Sequence, residues 1–441
     1  MKSILLSCLI MLSITTSNLF AQKKGDLVVV TTGKADMQVE GTVLKTLYEG
    51  FEVDIKDING SWYWVDHKGT LGWVNASNVK TIDQAIEFYT RQIATNPTSN
   101  NYRFRGDALR LKKNYKSALN DFNESIRLNP RSAKALDSRS KIYSKTGNKE
   151  NAFADINSAI QLDPNSATRF NNRAVLLAGN SRYPEAIQDY STAIRLNPKK
   201  GVYYKNRGLS YKNTKQYDQA IQDFTHAIRL VPTYADAYTY RADSYYALNN
   251  NEAALNDYNK SLKIDPKDSS TNYKAGLFHQ NQNELKQAIQ NFDIAIKSNS
   301  KYRSAYRARG ICYRKLGSYS QALQDFDKAI QLSPKSTSAY RSRAWLRTTA
   351  SDPKFIDLKK AKDDLTKAQT LSSNKSWQLY QSLAALYAAE GKFDKAVEAN
   401  QKSLALLKET SGVKKELIQQ SEARLKLYQQ KKPYREIPQT N

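Results

Sequence analysis

Residues 203–232, YYKNRGLSYKNTKQYDQAIQDFTHAIRLVP, decide the fold. Tyr204, Gly208 and Tyr211, then Tyr217, Ala220, Phe224 and Ala227, fall into two stripes of helical period. The polar turn Asn213-Thr214-Lys215-Gln216 separates the stripes, and Pro232 closes the segment. Closing prolines recur at Pro130, Pro164, Pro198, Pro232 and Pro266, each 34 residues after the last; Ser300 holds the next slot and Pro334 the one after. A fixed period of this length with two helical stripes predicts stacked helix–turn–helix hairpins.

In the same phase the chain divides into Ser99–Ser132, Ala133–Ser166, Ala167–Lys200, Gly201–Tyr234, Ala235–Asp268, Ser269–Tyr302 and Arg303–Ser336. An eighth repeat from Thr337 carries five extra residues near 351–355, and the ninth is Ser376–Glu409. Val413–Lys431 reads as an amphipathic helix that covers the last apolar face, as the end of an array requires. The array is therefore placed at 99–411, with a capping helix and tail at 412–441. The small residues Gly106, Ala174, Gly208, Ala242, Gly276, Gly310 and Ala344 mark where paired helices approach most closely, answered by alanines such as Ala118, Ala220 and Ala322. This pattern resembles the tetratricopeptide repeat (TPR) family. The resemblance implies a mainly α fold, a right-handed solenoid of about nine hairpins. It also implies a concave groove, lined by the first helix of each repeat, as the place where ligands lie.

The N-terminal residues differ. Met1–Gln22 carries one lysine, an apolar run of about ten residues and Ala21, the signature of a secretory signal peptide at 1–21. The run falls short of the roughly 20 residues that span a bilayer. Leu5-Leu6-Ser7-Cys8 faintly resembles a lipoprotein box but lies too near Met1 to leave an apolar segment before it. The chain thus reads as exported, periplasmic or cell-envelope associated, and bacterial. Residues 22–80 hold short β-rich runs, Leu27–Thr31, Thr42–Leu47, Phe51–Ile55, Trp62–Asp66 and Gly69–Val74, parted by Gly50, Asn59-Gly60, Lys68-Gly69 and Asn75-Ala76-Ser77. The order of Gly50, Val53, Asn59-Gly60-Ser61-Trp62-Tyr63-Trp64-Val65 and Gly72-Trp73-Val74 resembles a bacterial SH3 domain. That implies a small all-β barrel, able to bind a cell-wall component or a protein segment. Strand alternation puts Trp62 and Trp64 on one face and Tyr63 on the other; in so small a domain the tryptophans, with Trp73, are read as core in preference to ligand contacts. Thr81–Asn96 matches only the second helix of a repeat and links barrel to array over 81–98 without a flexible linker. Ala344-Trp345-Leu346 to Lys432-Pro433-Tyr434-Arg435-Glu436 resembles the closing module of exported bacterial TPR proteins that begin with an SH3-like domain.

Composition narrows function. The formal charge is +26, yet residues 23–80 hold seven basic against eight acidic residues, so the excess belongs to the repeats and whatever it attracts is met there. Two cysteines, Cys8 and Cys312, allow no disulfide framework, and His67, His226 and His279 have no second ligand at metal spacing. No nucleophile–base pair, phosphate loop, metal set or cofactor motif is present, so the expected class is a non-enzymatic protein–protein interaction scaffold with no catalytic residues.

One spacing recurs. Arginine precedes the small residue at Arg105, Arg139, Arg173, Arg207, Arg241, Arg309 and Arg343. An aspartate follows sixteen residues later at Asp121, Asp155, Asp189, Asp223, Asp257 and Asp325, and at Asp364 beyond the insertion. The sixth repeat loses both at once (Ala275, Asn291), as does the ninth (Leu383, Ala399). Joint loss predicts contact, an ion pair bridging the helices of one repeat. A row of catalytic aspartates is the weaker reading, because a dedicated arginine holds each acid ionised.

The groove positions expected to contact a partner are Arg103, Phe104, Arg110, Lys141, Lys205, Lys212, Tyr240, Tyr246, Tyr273, Arg307, Arg314, Arg341 and Trp345. Lys134, Lys145, Lys274 and Lys315 add charge; Asp107, Asp137, Asp236 and Asp243 oppose it. Bases among aromatics suit an extended, acidic peptide or protein segment; the alternative is a solvated face that keeps the array soluble. A chaperone-tail clamp is not carried over, since Leu209 stands in the turn after Lys205-Asn206. A second class, binding an anionic polymer (cell-wall glycan or nucleic acid), is favoured by charge and aromatics. For nucleic acid it is opposed by the export signal and by basicity spread over all repeats.

Overall fold

The computed structural model describes residues 23–67, 70–372, 376–410, 412, 413 and 415–439; the signal-peptide reading at 1–21 and the Lys68-Gly69 turn lie outside them. Two compact units divide between Ser210 and Tyr211.

The first unit opens on seven strands: β1 (Leu27–Val30), β2 (Lys34–Val39), β3 (Thr42–Tyr48), β4 (Glu52–Asn59), β5 (Trp62–His67), β6 (Thr70–Asn75) and β7 (Val79–Thr81). They form one antiparallel sheet in the order β3-β2-β6-β5-β4-β1-β7. β2 and β7 were not expected as strands. In β2 the polar residues Lys34, Asp36 and Gln38 hide an alternation whose other face, Ala35 and Met37, is buried. Alternation gathers Val28, Val30, Met37, Val53, Ile55, Tyr63, Val65 and Val74 into a single core. This corrects the reading of the tryptophans. Tyr63 and Val65 face inward, whereas Trp62, Trp64 and Trp73 lie half-buried on the opposite face. Trp64 and Trp73 sit opposite each other in the β5–β6 ladder with ring centroids 5.2 Å apart. The reason is register: Tyr63 pairs with Val74, and the valines of β1, β4 and β5 on the same side fill the interior alone.

Thr81 ends β7 and starts α1 (Ile82–Thr95). Its hydroxyl accepts the Gln84 N–H at 3.3 Å, and its own N–H donates to Gln84 Oε1 at 3.1 Å, a capping box. Val29, on the sheet face away from the first core, packs with Ala85, Tyr89 and Phe104. Gly50 has φ +83°, and a Cβ there would come within 2.5 Å of the Phe104 ring, so the chain needs glycine at this point on both counts. Hairpins α2 (Ser99–Leu111) with α3 (Tyr115–Leu128), α4 (Ala133–Lys145) with α5 (Lys149–Leu162), and α6 (Ala167–Gly179) with α7 (Tyr183–Leu196) complete this unit, with α8 (Gly201–Asn213) running across the division.

The second unit continues with α9 (Tyr217–Leu230), then α10 (Ala235–Ala247) with α11 (Asn251–Ile264), α12 (Ser269–Asn281) with α13 (Leu285–Ser298), and α14 (Arg303–Lys315) with α15 (Tyr319–Leu332). α16 (Thr337–Thr349) with α17 (Leu358–Leu371) and α18 (Trp377–Ala389) with α19 (Phe393–Glu409) follow, and α20 (Lys415–Gln429) ends the helices. The result is a TPR-type solenoid of thirteen-residue first helices and second helices of fourteen or more. Each tight reversal uses one left-handed residue, among them Lys113, Gly147, Ser181, Asn249, Asn283, Gly317 and Gly391. The eighth repeat replaces that residue with a loop through Pro353–Phe355, whose Phe355 ring packs 5.2 Å from Tyr319. Tyr428 of α20 is buried among Ala384, Ala388 and Ala396, and the Asn400 side-chain amide donates to the Ser421 carbonyl at 2.9 Å. No helix among the described residues is long and apolar enough to cross a membrane.

Candidate functional site

The first helices carry two rows of charged and aromatic side chains. One row is structural. Arg105, Arg139, Arg173, Arg241, Arg309 and Arg343 each donate Nε and Nη2 to the two oxygens of Asp121, Asp155, Asp189, Asp257, Asp325 and Asp364, at 2.5–2.9 Å. The six carboxylates are buried, and the fork-on-fork geometry is the strong form of the pair. Hydrogen bonding to the aspartates holds Arg105, Arg139 and Arg173 above the ordinary guanidinium range, outweighing the desolvation that opposes it. Asp364 accepts a second guanidinium, from Arg347 at 2.8 Å.

The third nitrogen was missed by the sequence reading. Nη1 reaches back one repeat, to Asn123 from Arg139, Asn157 from Arg173, Ser191 from Arg207, Thr225 from Arg241, Asp293 from Arg309 and Asp327 from Arg343. Arg139, Arg173, Arg241, Arg309 and Arg343 therefore tie their helices both to their own repeat and to the one before. The signal was available as a polar residue sixteen places before each of these six arginines.

The second row is the expected groove, and much of it is already occupied. Phe104 and Arg103 are corrections. Phe104 is 7 % exposed in the cluster with Val29 and Tyr89, and Arg103 is buried over its ring (4.0 Å) and paired with Asp107 at 3.3 Å. Neither is placed to meet a partner, because the strand region folds down on that end of the array. Arg110 pairs with Glu52 of β4 at 2.9 Å, and Lys141 with Asp137 at 2.8 Å. Lys205 is half-buried on α8. Tyr246 packs on Phe278 and accepts the Asn281 amide at 3.0 Å, while Tyr273 packs between Phe292 and Tyr302.

Asp243 draws in two of the expected bases. Lys212 and Lys274 both donate to its Oδ2 at 2.8 Å, each over the Tyr240 ring, and the Tyr258 hydroxyl donates to Oδ1 at 2.9 Å. Burial opposes ionisation, but the two ammonium groups prevail and hold the Asp243 carboxyl below the usual range. Its stabilisation is therefore complete above the unfolded carboxylate value of about 3.9 and is lost as pH falls through the lower folded value. Wild-type protein is expected to exceed Asp243→Asn in stability at pH 7, with the gap closing below about pH 4 in urea titrations; a gap independent of pH would refute the assignment.

Four bases remain together at the C-terminal end. Arg307, Arg314, Lys315 and Arg341 line a cavity of about 420 Å³ with Trp345. Arg314 forms an ion pair with Glu436, and Trp345 is covered by Tyr434 (5.9 Å) and Arg424 (5.7 Å). Arg307 and Arg341 are half-buried and have no carboxylate among the described residues at bonding distance. Burial first, and then Arg307, push the Arg341 guanidinium below its ordinary range; burial and Arg314 do the same to Lys315. Cys312 nearby is enclosed, its thiol raised to about 11 by burial and its Sγ accepting the Gln280 amide at 3.2 Å, so it is no nucleophile. Among the described residues no group of His, Cys, Asp and Glu is placed to hold a metal ion.

Sequence profiles of the tetratricopeptide repeat match residues 133–166, 202–234 and 304–336, and a TPR repeat profile matches 242–283. Among solved structures, the chain is similar to a tetratricopeptide repeat protein from Parabacteroides merdae, at 22 % identity and TM-score 0.46 over 60 % of this chain and 98 % of that one. It is also similar to YrrB, described as a TPR protein with an unusual peptide-binding site, at 21 % identity and TM-score 0.35 over 43 % and 97 %. A third, the Cut9–Hcn1 assembly of the APC/C, is 18 % identical with TM-score 0.47 over 68 % and 59 %. No curated protein matches the chain. The segments at 133–166 and 304–336 coincide with the hairpins α4–α5 and α14–α15, and the chain accordingly carries tetratricopeptide repeats, modules of protein-interaction scaffolds.

Proposed function

We propose that this chain is a non-enzymatic scaffold of the bacterial cell envelope that holds an extended, acidic peptide or protein segment against the first helices of its repeats. The observation that carries the reading is the pair Arg307 and Arg341. Two half-buried like charges lining one cavity are unfavourable together, and an incoming carboxylate would relieve both. Elsewhere on this face the bases are largely neutralised by Glu52, Asp107, Asp137 and Asp243. The export reading of residues 1–21 supports the location. For the strand region, the outward pair Trp64 and Trp73 supports an SH3-like module that contacts a wall component or a second protein.

The test is a titration of the chain lacking the leader with a fluorescent glutamate-rich decapeptide. Arg307→Glu with Arg341→Glu is expected to weaken binding at least tenfold, while either arginine changed to glutamine leaves the unfolding midpoint unchanged or raised, since repulsion is removed. A drop of less than tenfold between 50 and 200 mM salt agrees with a peptide groove. A loss of about 10³ or more, matched by binding of polyphosphate, would instead favour the anionic-polymer reading. The strand module is tested by Trp64→Ala in the intact chain. Deleting residues 23–80 is unsuitable because it unroofs Tyr89 and Phe104.

A further inference from the structure

The chain after α20 turns at Lys431 (φ 55°) and runs outside helix and strand from residue 432 to residue 439. It crosses the C-terminal ends of α16 and α14 in succession. The Glu436 N–H donates to the Thr349 carbonyl and the Gln439 N–H to the Lys315 carbonyl, both at 2.7 Å. Arg435 Nη1 donates to the Thr348 carbonyl at 2.9 Å. These carbonyls belong to the last turns of two first helices, where no intrahelical donor is available, so the tail acts as their cap. Between the two crossings, the Glu436 carboxylate meets Arg314, and Tyr434 lies on Trp345. Pro438 rests against Gly317, where a Cβ would come within 3.1 Å of it.

An extended segment with a glutamate on a groove arginine and a tyrosine on a groove aromatic is what the proposed partner would present. Pro433 and Pro438 favour the extended form before docking and so lower the ordering cost. The attachment is confined to a few side chains. Apart from Tyr434 and Pro438 it consists of capping bonds and one ion pair, and the sole large apolar residue of this stretch, Ile437, points away at 83 % exposure.

We infer that residues 433–439 are an intramolecular ligand of the array's own groove: the tail occupies the Arg314–Trp345 subsite, leaves the adjoining Arg307–Arg341 subsite vacant, and is displaced when an acidic segment binds across both. The inference rests on the peptide-binding reading above for its biological sense. The tail's docking is a separate physical claim.

The experiment uses the full chain and a labelled synthetic peptide of residues 432–441 added in trans. Wild-type protein, its groove filled in cis, is expected to bind the peptide at least tenfold more weakly than Glu436→Lys, whose latch is reversed against Arg314. Adding Arg314→Glu to that variant should abolish the gain. Hydrogen exchange reads the latch without any partner: the Glu436 and Gln439 amides should be protected in wild type and exchange at least tenfold faster in Glu436→Lys. Equal peptide affinity in the two proteins overturns the inference. Tail amides that stay protected in Glu436→Lys overturn it too, since the tail is then a fixed wall. If the variant binds the tail peptide while the glutamate-rich probe binds neither protein, the tail inference stands and the Arg307–Arg341 reading falls.

Discussion

Alanine in place of Asp257 is expected to destabilise the second unit by about 3–5 kcal/mol, among the largest effects open to any single substitution in the chain. Asp257 is 2 % exposed and accepts both Nε (2.7 Å) and Nη2 (2.9 Å) of Arg241, whose side chain is 13 % exposed. Removing the acid leaves a guanidinium enclosed between α10 and α11 without its counter-charge. Its remaining bond, Nη1 to Thr225 at 2.9 Å, is to a neutral hydroxyl. Removing the arginine as well takes the stranded charge away, so Arg241→Leu with Asp257→Leu is expected to recover most of the loss. The readout is the urea midpoint together with hydrogen exchange in α10 and α11, because a repeat array does not unfold as one two-state block. A double variant as unstable as Asp257→Ala would show that the pair itself, and not the uncompensated charge, carries the stability.

The second large effect lies where the paired helices touch. Phe292 is fully buried, and a Cβ on Gly276 would stand 2.5 Å and 2.7 Å from two of its ring carbons. Phe292→Ala should cost about 3–5 kcal/mol through lost transfer energy and the cavity left behind. Gly276→Ala alone sets overpacking of about 1–3 kcal/mol against a helix-propensity gain of about 1 kcal/mol, and should be neutral or destabilising. Placed on top of Phe292→Ala, the same change meets no ring, and should stabilise by up to about 1 kcal/mol. That reversal of sign is the diagnostic, measured by chemical denaturation of the four proteins; a constant sign would mean the glycine is required by something other than the ring. Gly106 with Phe122 and Gly310 with Phe326 have the same close approach, at 2.8 Å in each case, and should behave alike.

Periodic features were legible because every repeat must solve the same packing problem. The helix positions and polar turns recur in every repeat, and the small residues and the arginine–aspartate pairs in most of them, so chance resemblance is averaged away. The strand region offered no such repetition. There the identity of the inward face depended on register, which follows from which strands pair, and Tyr63 displaced the three tryptophans from the core although all lie within twelve residues. Of the residues expected to face a partner, Arg307, Arg314, Arg341 and Trp345 line one cavity. Phe104 and Arg103 have the same repeat phase but are buried beneath the strand region, a neighbour that no other repeat has.

Local periodicity and composition by themselves determined the hairpins, their number and phase, and the basic character of the array, since these depend on contacts within about 34 residues. Tertiary structure alone decided which of the expected groove cations meet a carboxylate far away in the sequence. Glu52 reaches Arg110 across 58 residues and Glu436 reaches Arg314 across more than a hundred. For such pairs, unlike the arginine–aspartate pairs that recur with the repeat, charge compensation depends on distance in space, and no repeat spacing encodes it.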